Sequence, residues 1–262
     1  MGSAIAERLK AKYQVFVFEK DSAKTKDLSG IEACASIADL MGRVDTVILA
    51  VKPQDFDPVL SEIKNPLKDK LIISIAAGVS TEYLEKILGQ VKSVRVMPNM
   101  PAKIGMGMTC LCKGKFATDE DLNFAKEIFD NLGQTLIIEE DMMDAATAIS
   151  GSGPGFLFYS REDKNLEEFK DFAQNVFMPS LTASAEKNGF SHEQAVLLVT
   201  ATTQGSIVYL EKSNLLPSEL IKQVASKGGT TEAGLKVLFV GGSLEDAVKE
   251  ARKRAEELSK KG

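Results

Sequence analysis

The chain has 262 residues, 44% of them apolar and 26% charged, with a formal net charge of -5. That length suits one large domain or two modest ones. The charge balance excludes the basic surface a nucleic-acid binder needs, and no apolar run is long enough to span a bilayer. Glu7, Arg8 and Lys10 stand where a signal peptide would carry its apolar core. The cysteines, Cys34, Cys110 and Cys112, are 3 in number and lack a second pair, so neither a disulfide framework nor a zinc site is expected. The alternation Thr109-Cys110-Leu111-Cys112 predicts two buried thiols on one face of a strand. A cytoplasmic setting is the expectation. The charged stretch from Lys249 to Lys261 reads as a solvated helix end.

In chain order, the first half alternates helical and strand patterns. Ala4 to Lys12 predicts a helix and Val15 to Phe18 a strand. Thr46 to Val51 and Leu71 to Ala77 are continuous apolar runs, as in strands buried on both faces of a parallel sheet. Ser80 to Leu88 predicts a helix, Ser93 to Met97 and Gly107 to Cys112 strands, Thr118 to Leu132 a helix, and Leu136 to Glu139 a last strand. This alternation predicts an α/β doubly wound domain. After Gly153-Pro154 only helical patterns follow: Asn165 to Asn188, His192 to Ser213, Pro217 to Ala225, Thr230 to Phe239 and Leu244 to Leu258. The boundary falls between Asp141 and Gly151, giving a domain over 1–145 and a helical one over 146–262. So many apolar helical faces in so short a segment predict a dimer.

A dinucleotide site of this fold opens with a strand and G-x-G-x-x-G, whose glycines let the backbone approach a pyrophosphate at a helix N-terminus. The opening Met1-Gly2-Ser3-Ala4 is similar to the tail of that motif, with Gly2 as the third glycine. The first strand and first two glycines do not precede it. Seventeen residues on, Glu19 closes a predicted strand, where an acidic residue binds the adenosine ribose. The alternative is a solvated loop carboxylate. Glu19 would favour NADH; Lys20, Ser22 and Lys24 could instead grip the 2′-phosphate of NADPH.

Five further segments matter as an ordered set. They are Leu49-Ala50-Val51-Lys52-Pro53-Gln54, Ser74-Ile75-Ala76-Ala77-Gly78-Val79, Met97-Pro98-Asn99-Met100-Pro101, Ile149-Ser150-Gly151-Ser152-Gly153-Pro154, and Ser226-Lys227-Gly228-Gly229-Thr230-Thr231-Glu232-Ala233-Gly234-Leu235. Together they resemble the pyrroline-5-carboxylate reductases, over residues 1 to about 258. The resemblance implies a Rossmann-like domain, a helical dimerisation domain and hydride transfer from NADPH or NADH to a cyclic imine, giving proline. It implies a homodimer or a dimer-based higher oligomer. It further implies that Ser226 and Thr230, with Gly228 and Gly229, hold a substrate carboxylate, that Thr231 hydrogen-bonds the imine nitrogen, and that Glu140 lies near the substrate.

The residues allow a separate reading. Ala50, Val51, Lys52 and Pro53, with Ala76 and Ala77, lie at two strand ends, where ligands bind in open α/β sheets. Asn99, held between two prolines, can orient a nicotinamide carboxamide or a neighbouring loop, or simply form a turn. Two glycines and two threonines at a helix start can surround an anion, or Thr230 can be an ordinary cap. Glu140 is one of three consecutive acids. The only histidine, His192, reads as a surface residue at a helix start, so a triad or histidine metal site has little to be built from.

The chain departs from the family pattern at Met100 (usually Thr), Lys227 (usually Pro) and Gly155-Phe156 (usually Ala-Tyr), and by an apparent insertion from Tyr159 to about Phe177. Two alternatives stay open. One is another Rossmann reductase, an imine reductase or a β-hydroxyacid dehydrogenase; the latter needs a lysine such as Lys170 or Lys187. The other is a non-catalytic dimeric relative lacking cofactor binding.

Overall fold

The computed structural model describes residues 1–25, 28–52, 55–65, 67, 69–161 and 164–260. The chain opens with helix α1 (Gly2–Leu9), whose Ile5 and Leu9 face the sheet. Strand β1 (Phe16–Val17) pairs in parallel with β2 (Glu32–Ala33) as a separate ribbon. Helix α2 (Ile37–Arg43) starts where the Ser36 side chain accepts the Asp39 amide, a cap present in the sequence but overlooked there. Strand β3 (Thr46–Leu49) follows, then α3 (Phe56–Ile63), whose buried Phe56, Val59, Leu60 and Ile63 repeat at helical spacing. No helix is expected here from the sequence reading above. Strand β4 (Leu71–Ser74) is buried throughout, as its apolar run predicts. Helix α4 (Thr81–Leu88), capped by Ser80, leads to β5 (Lys92–Pro98).

β3, β4 and β5 are parallel, and β6 (Gly107–Lys113) then runs antiparallel to β5. The cause is the length of the link. Only residues 99–106 separate the two strands, and a parallel crossover needs a dozen or more. Helix α5 (Asp119–Asp130) supplies such a crossover to β7 (Gly133–Ile137), which is parallel to β6. The main sheet thus has the order β3-β4-β5-β6-β7, and the last strand sits slightly earlier than predicted.

Everything described after β7 is helical. Helix α6 (Met143–Ala146) widens into a π turn over Thr147–Gly151 and is followed by α7 (Gly153–Tyr159). Helix α8 (Leu166–Phe172) likewise passes through a π turn, Ala173–Phe177, into α9 (Met178–Lys187). Both wide turns come just before a proline, Pro154 and Pro179. A proline cannot donate to the helix ladder and crowds the carbonyl four residues earlier, so the helix widens there. The helix expected over Asn165 to Asn188 is therefore present as one helical run with a π turn inside it, and only α8 and that turn fall within the apparent insertion.

Helices α10 (His192–Ser213), α11 (Pro217–Val224), α12 (Thr230–Phe239) and α13 (Leu244–Ser259) complete the chain. The charged C-terminal stretch is only half solvated. Ala247, Val248, Ala251 and Ala255 of α13 are buried, on a face hidden by the many lysines and glutamates of the sequence. Cys34, Cys110 and Cys112 are free and buried. Burial pushes the Cys110 thiol up to about 12.

Candidate active site

The start of α12 is where the predicted substrate residues meet. Gly228 takes a left-handed conformation (φ +70°), and the Gly229 amide donates to the Ser226 carbonyl at 2.9 Å. The Ser226 hydroxyl fills the space a β-carbon at Gly229 would need. The loop is held from two sides: the Glu232 carboxylate accepts the Gly228 amide, and Arg254 Nε donates to the Gly228 carbonyl at 2.7 Å. Gly229 occupies the N-cap position, and no side chain caps α12. Thr230 is therefore not the helix cap that the residues alone allowed.

The two threonine hydroxyls point instead at one serine. Ser152 Oγ lies 3.0 Å from Thr230 Oγ1, and Thr231 Oγ1 donates to Ser152 Oγ at 3.2 Å. Ser152 is 0% exposed and Thr231 4%. Ser152 stood inside a recognised motif but outside the predicted site. Its partners lie 78 and 79 residues away, so only the fold shows the cluster.

Ser150, two residues earlier on the π turn, makes the matching junction on the other side. Asn99 Nδ2 donates to Ser150 Oγ at 3.3 Å and to Thr202 Oγ1 at 3.4 Å, while Asn99 Oδ1 accepts the Met108 amide at 2.9 Å. The side chain is buried, with both donors and one acceptor position used. These bonds show Asn99 holding the neighbouring loop, one of the roles open to it.

Glu140 belongs to a separate cluster. Its Oε1 accepts from Arg95 Nη1 at 2.7 Å, and its Oε2 accepts from Thr81 Oγ1 at 2.8 Å and Cys112 Sγ at 3.2 Å. Arg95, buried on β5, also donates to Asp144 Oδ1 at 3.1 Å. Both Glu140 oxygens are thus engaged between strands and helices, in a bridge that leaves the side chain half-buried. Burial, then Glu140, raises the Cys112 thiol above its ordinary range.

Of the predicted cofactor residues, Gly2, Ala50, Val51, Lys52, Ala76 and Ala77 lie at or against the carboxyl ends of β3 and β4. Gly2 begins α1 against Ala50: a β-carbon on Gly2 would stand 3.0 Å from Ala50 Cβ. Ala50 and Lys52 are exposed, Val51 and Ala77 half-buried and Ala76 buried. Pro53 lies outside the described residues. Gly78 (φ +76°) closes the β4 turn beneath Leu258, whose Cβ would stand 2.8 Å from a β-carbon there. Leu258 and Arg254 are one turn apart on α13, about 6 Å. The strand-end turn and the glycine loop thus lie along a single helix. Glu19 and Lys20 are exposed just past β1; Glu19 Oε1 accepts the Asp21 amide at 3.2 Å, and Lys24 pairs with Asp21 at 3.6 Å.

Comparison with known proteins agrees with this layout. The family profile described as "Pyrroline-5-carboxylate reductase dimerisation" matches residues 174–259, and "NADP oxidoreductase coenzyme F420-dependent" matches residues 1–78. A pyrroline-5-carboxylate reductase of Methanosarcina acetivorans is 36% identical, over 90% of this chain and 84% of its own. That of Aquifex aeolicus is 35% identical, over 88% of this chain and 80% of its own. The chain belongs to the pyrroline-5-carboxylate reductase family. A solved structure of the Plasmodium falciparum pyrroline carboxylate reductase with NADP bound superposes with a TM-score of 0.63 at 30% identity, covering 99% of this chain and 94% of that one.

As a member of the pyrroline-5-carboxylate reductase family, the chain has a Rossmann-like domain followed by a helical dimerisation domain. The lysines a β-hydroxyacid dehydrogenase would require are engaged elsewhere: Lys170 pairs with Glu211 at 2.5 Å and Lys187 with Glu245 at 2.7 Å. His192 is exposed and bonds Glu186, as a surface residue would. No helix among the described residues is long and apolar enough to cross a membrane.

Proposed function

We propose that the protein reduces the C=N bond of pyrroline-5-carboxylate to give proline, using NADPH or NADH. The observation that carries this is the uncapped start of α12 with the Ser152, Thr230 and Thr231 hydroxyls gathered beneath it. Gly2, Ala50, Val51, Lys52, Ala76 and Ala77 would hold the cofactor, small residues at the strand ends giving it room. Bound there, the cofactor supplies the hydride.

The chain's own residues supply orientation and electrostatics. The free amides and partial positive charge at the start of α12 suit the substrate carboxylate, with Ser226 and Thr230 beside them. Thr231 gives its hydroxyl proton to Ser152, so its lone pairs are free to accept the N–H of a protonated iminium. A protonated iminium is already electrophilic, and hydride addition leaves a neutral ring nitrogen. No strong acid is required of the protein. A dimer through the helical half and a cytoplasmic setting complete the reading.

The test is oxidation of NADPH or NADH by the purified protein with pyrroline-5-carboxylate, followed by detection of proline. Absence of turnover with both cofactors would favour the non-catalytic alternative. Glu19 beyond β1 supports a preference for NADH, since a carboxylate repels a 2′-phosphate. Higher kcat/KM with NADPH would overturn that preference.

A further inference from the structure

We infer that Gly155 is a positioning residue for the reaction: its missing β-carbon is the seat of the Thr231 methyl. Gly155 lies inside α7, where alanine would otherwise be the better residue, since glycine there costs backbone entropy and packs nothing. Its φ is not left-handed, so backbone geometry does not call for glycine. Space does. A β-carbon at 155 would stand 2.5 Å from Thr231 Cγ2, while its next neighbour, Val224 Cγ1, is at an ordinary 3.6 Å. One contact, with one methyl, excludes alanine.

That methyl cannot simply move aside. Threonine is branched at Cβ and stiff about χ1. Rotating Thr231 to free the space exchanges methyl and hydroxyl, and takes Oγ1 away from Ser152, to which it donates at 3.2 Å. The other escape is for α12 to back away from α7. That motion is opposed one turn further on, where the Phe156 ring packs into the space left by Gly234. Gly155 thus fixes the Thr231 rotamer, Ser152 fixes the direction of its hydroxyl, and the remaining lone pairs face the substrate side. The family pattern usually carries alanine at this position, where this chain has glycine. The inference rests on the reading of Thr231 as the group that bonds the ring nitrogen.

The experiment compares wild type, Gly155→Ala, Thr231→Ser and the double variant, reading kcat/KM for pyrroline-5-carboxylate with saturating NADPH, and Tm. Gly155→Ala should lose at least about tenfold in kcat/KM, the scale of a small misplacement of a reacting group, and should lower Tm. Thr231→Ser removes the methyl, keeps the hydroxyl, and sets the reference level for the double variant. The double variant should return to the Thr231→Ser level in both readouts, a coupling that independent sites do not show. If Gly155→Ala does not fold, recovery of folded, active protein in the double variant supports the inference, and failure to recover overturns it. Wild-type kinetics in Gly155→Ala, or losses that simply add in the double variant, also overturn it. Thr231→Ala separates the two readings. If it loses activity while the four proteins show no coupling, the positioning role of Gly155 alone falls. If it keeps wild-type kinetics and coupling appears only in Tm, the substrate role of Thr231 falls and the positioning role with it.

Discussion

Replacing Thr231 by alanine deletes a buried hydroxyl whose partner, Ser152, has almost no access to water. The expected outcome is a fall in kcat/KM worth about 1–3 kcal/mol, the range for one lost or unsatisfied hydrogen bond, with the KM for cofactor little changed. Steady-state kinetics with each substrate varied in turn checks this, and an equal loss in cofactor affinity would move Thr231 out of the proposed role. Asn99 should behave in the opposite way. Asn99→Leu strips partners from the Met108 amide and from the Ser150 and Thr202 hydroxyls. It should cost about 1–3 kcal/mol of stability, seen in denaturant titration, while cofactor affinity in the folded protein persists. A selective loss of cofactor binding would favour the carboxamide role. Thr231 and Asn99 were both conspicuous in the sequence, one closing a G-G-T-T run and the other set between prolines. What each side chain bonds was not legible, because its partners come from far along the chain. Glu140 shows the same limit: a run of three acids suggests exposure, and only Arg95 arriving from β5 makes one of them an internal bridge.

Among the elements, α5 has the most testable start. Thr118 and Asp121 form a reciprocal capping box. Burial acts to raise the Asp121 pKa, but the Thr118 amide and hydroxyl, with Lys92, outweigh it and hold the carboxyl below its usual range. A carboxylate depressed in the folded state stabilises it above the unfolded pKa of about 3.9, and that contribution disappears as pH falls through the folded value. Asp121→Asn should therefore cost about 1 kcal/mol at neutral pH, a typical capping contribution. Thermal melts of both proteins should converge as the pH drops below about 4; a gap that persists in acid would point to packing instead. The helices were legible where periodicity and caps coincide, and even the overlooked α2 and α3 carry readable signals, Ser36 before one and the 56, 59, 60, 63 spacing in the other. The direction of β6 was not read from its apolar residues, since periodicity is blind to polarity; the short link from β5 was the available clue. The π turns were equally hidden, although both prolines that cause them were in plain view.

At the scale of the molecule, a helical half matched by a dimerisation profile should make the protein a dimer in solution. Light scattering at micromolar concentration should give twice the chain mass, and a stable monomer would contradict it. The change from strands to helices was evident in the sequence, because apolar runs give way to helical spacing after Gly153-Pro154. The way the two halves are joined was not. Arg95 reaches from the sheet to Glu140 and Asp144, and Asp144 accepts the hydroxyl of Ser259, at the last turn of α13. Leu258 beside it covers Gly78 of the sheet half. Stripping either half away would uncover the buried core that Met108, Cys110 and Cys112 of β6 share with the helices. Neither half should therefore melt ahead of the other. Differential scanning calorimetry should record one endotherm whose van't Hoff and calorimetric enthalpies agree per cooperative unit, and in Asp144→Ala, which frees Ser259 of α13 from the sheet half, that single peak should split into two, the sheet and the helices unfolding at separate temperatures.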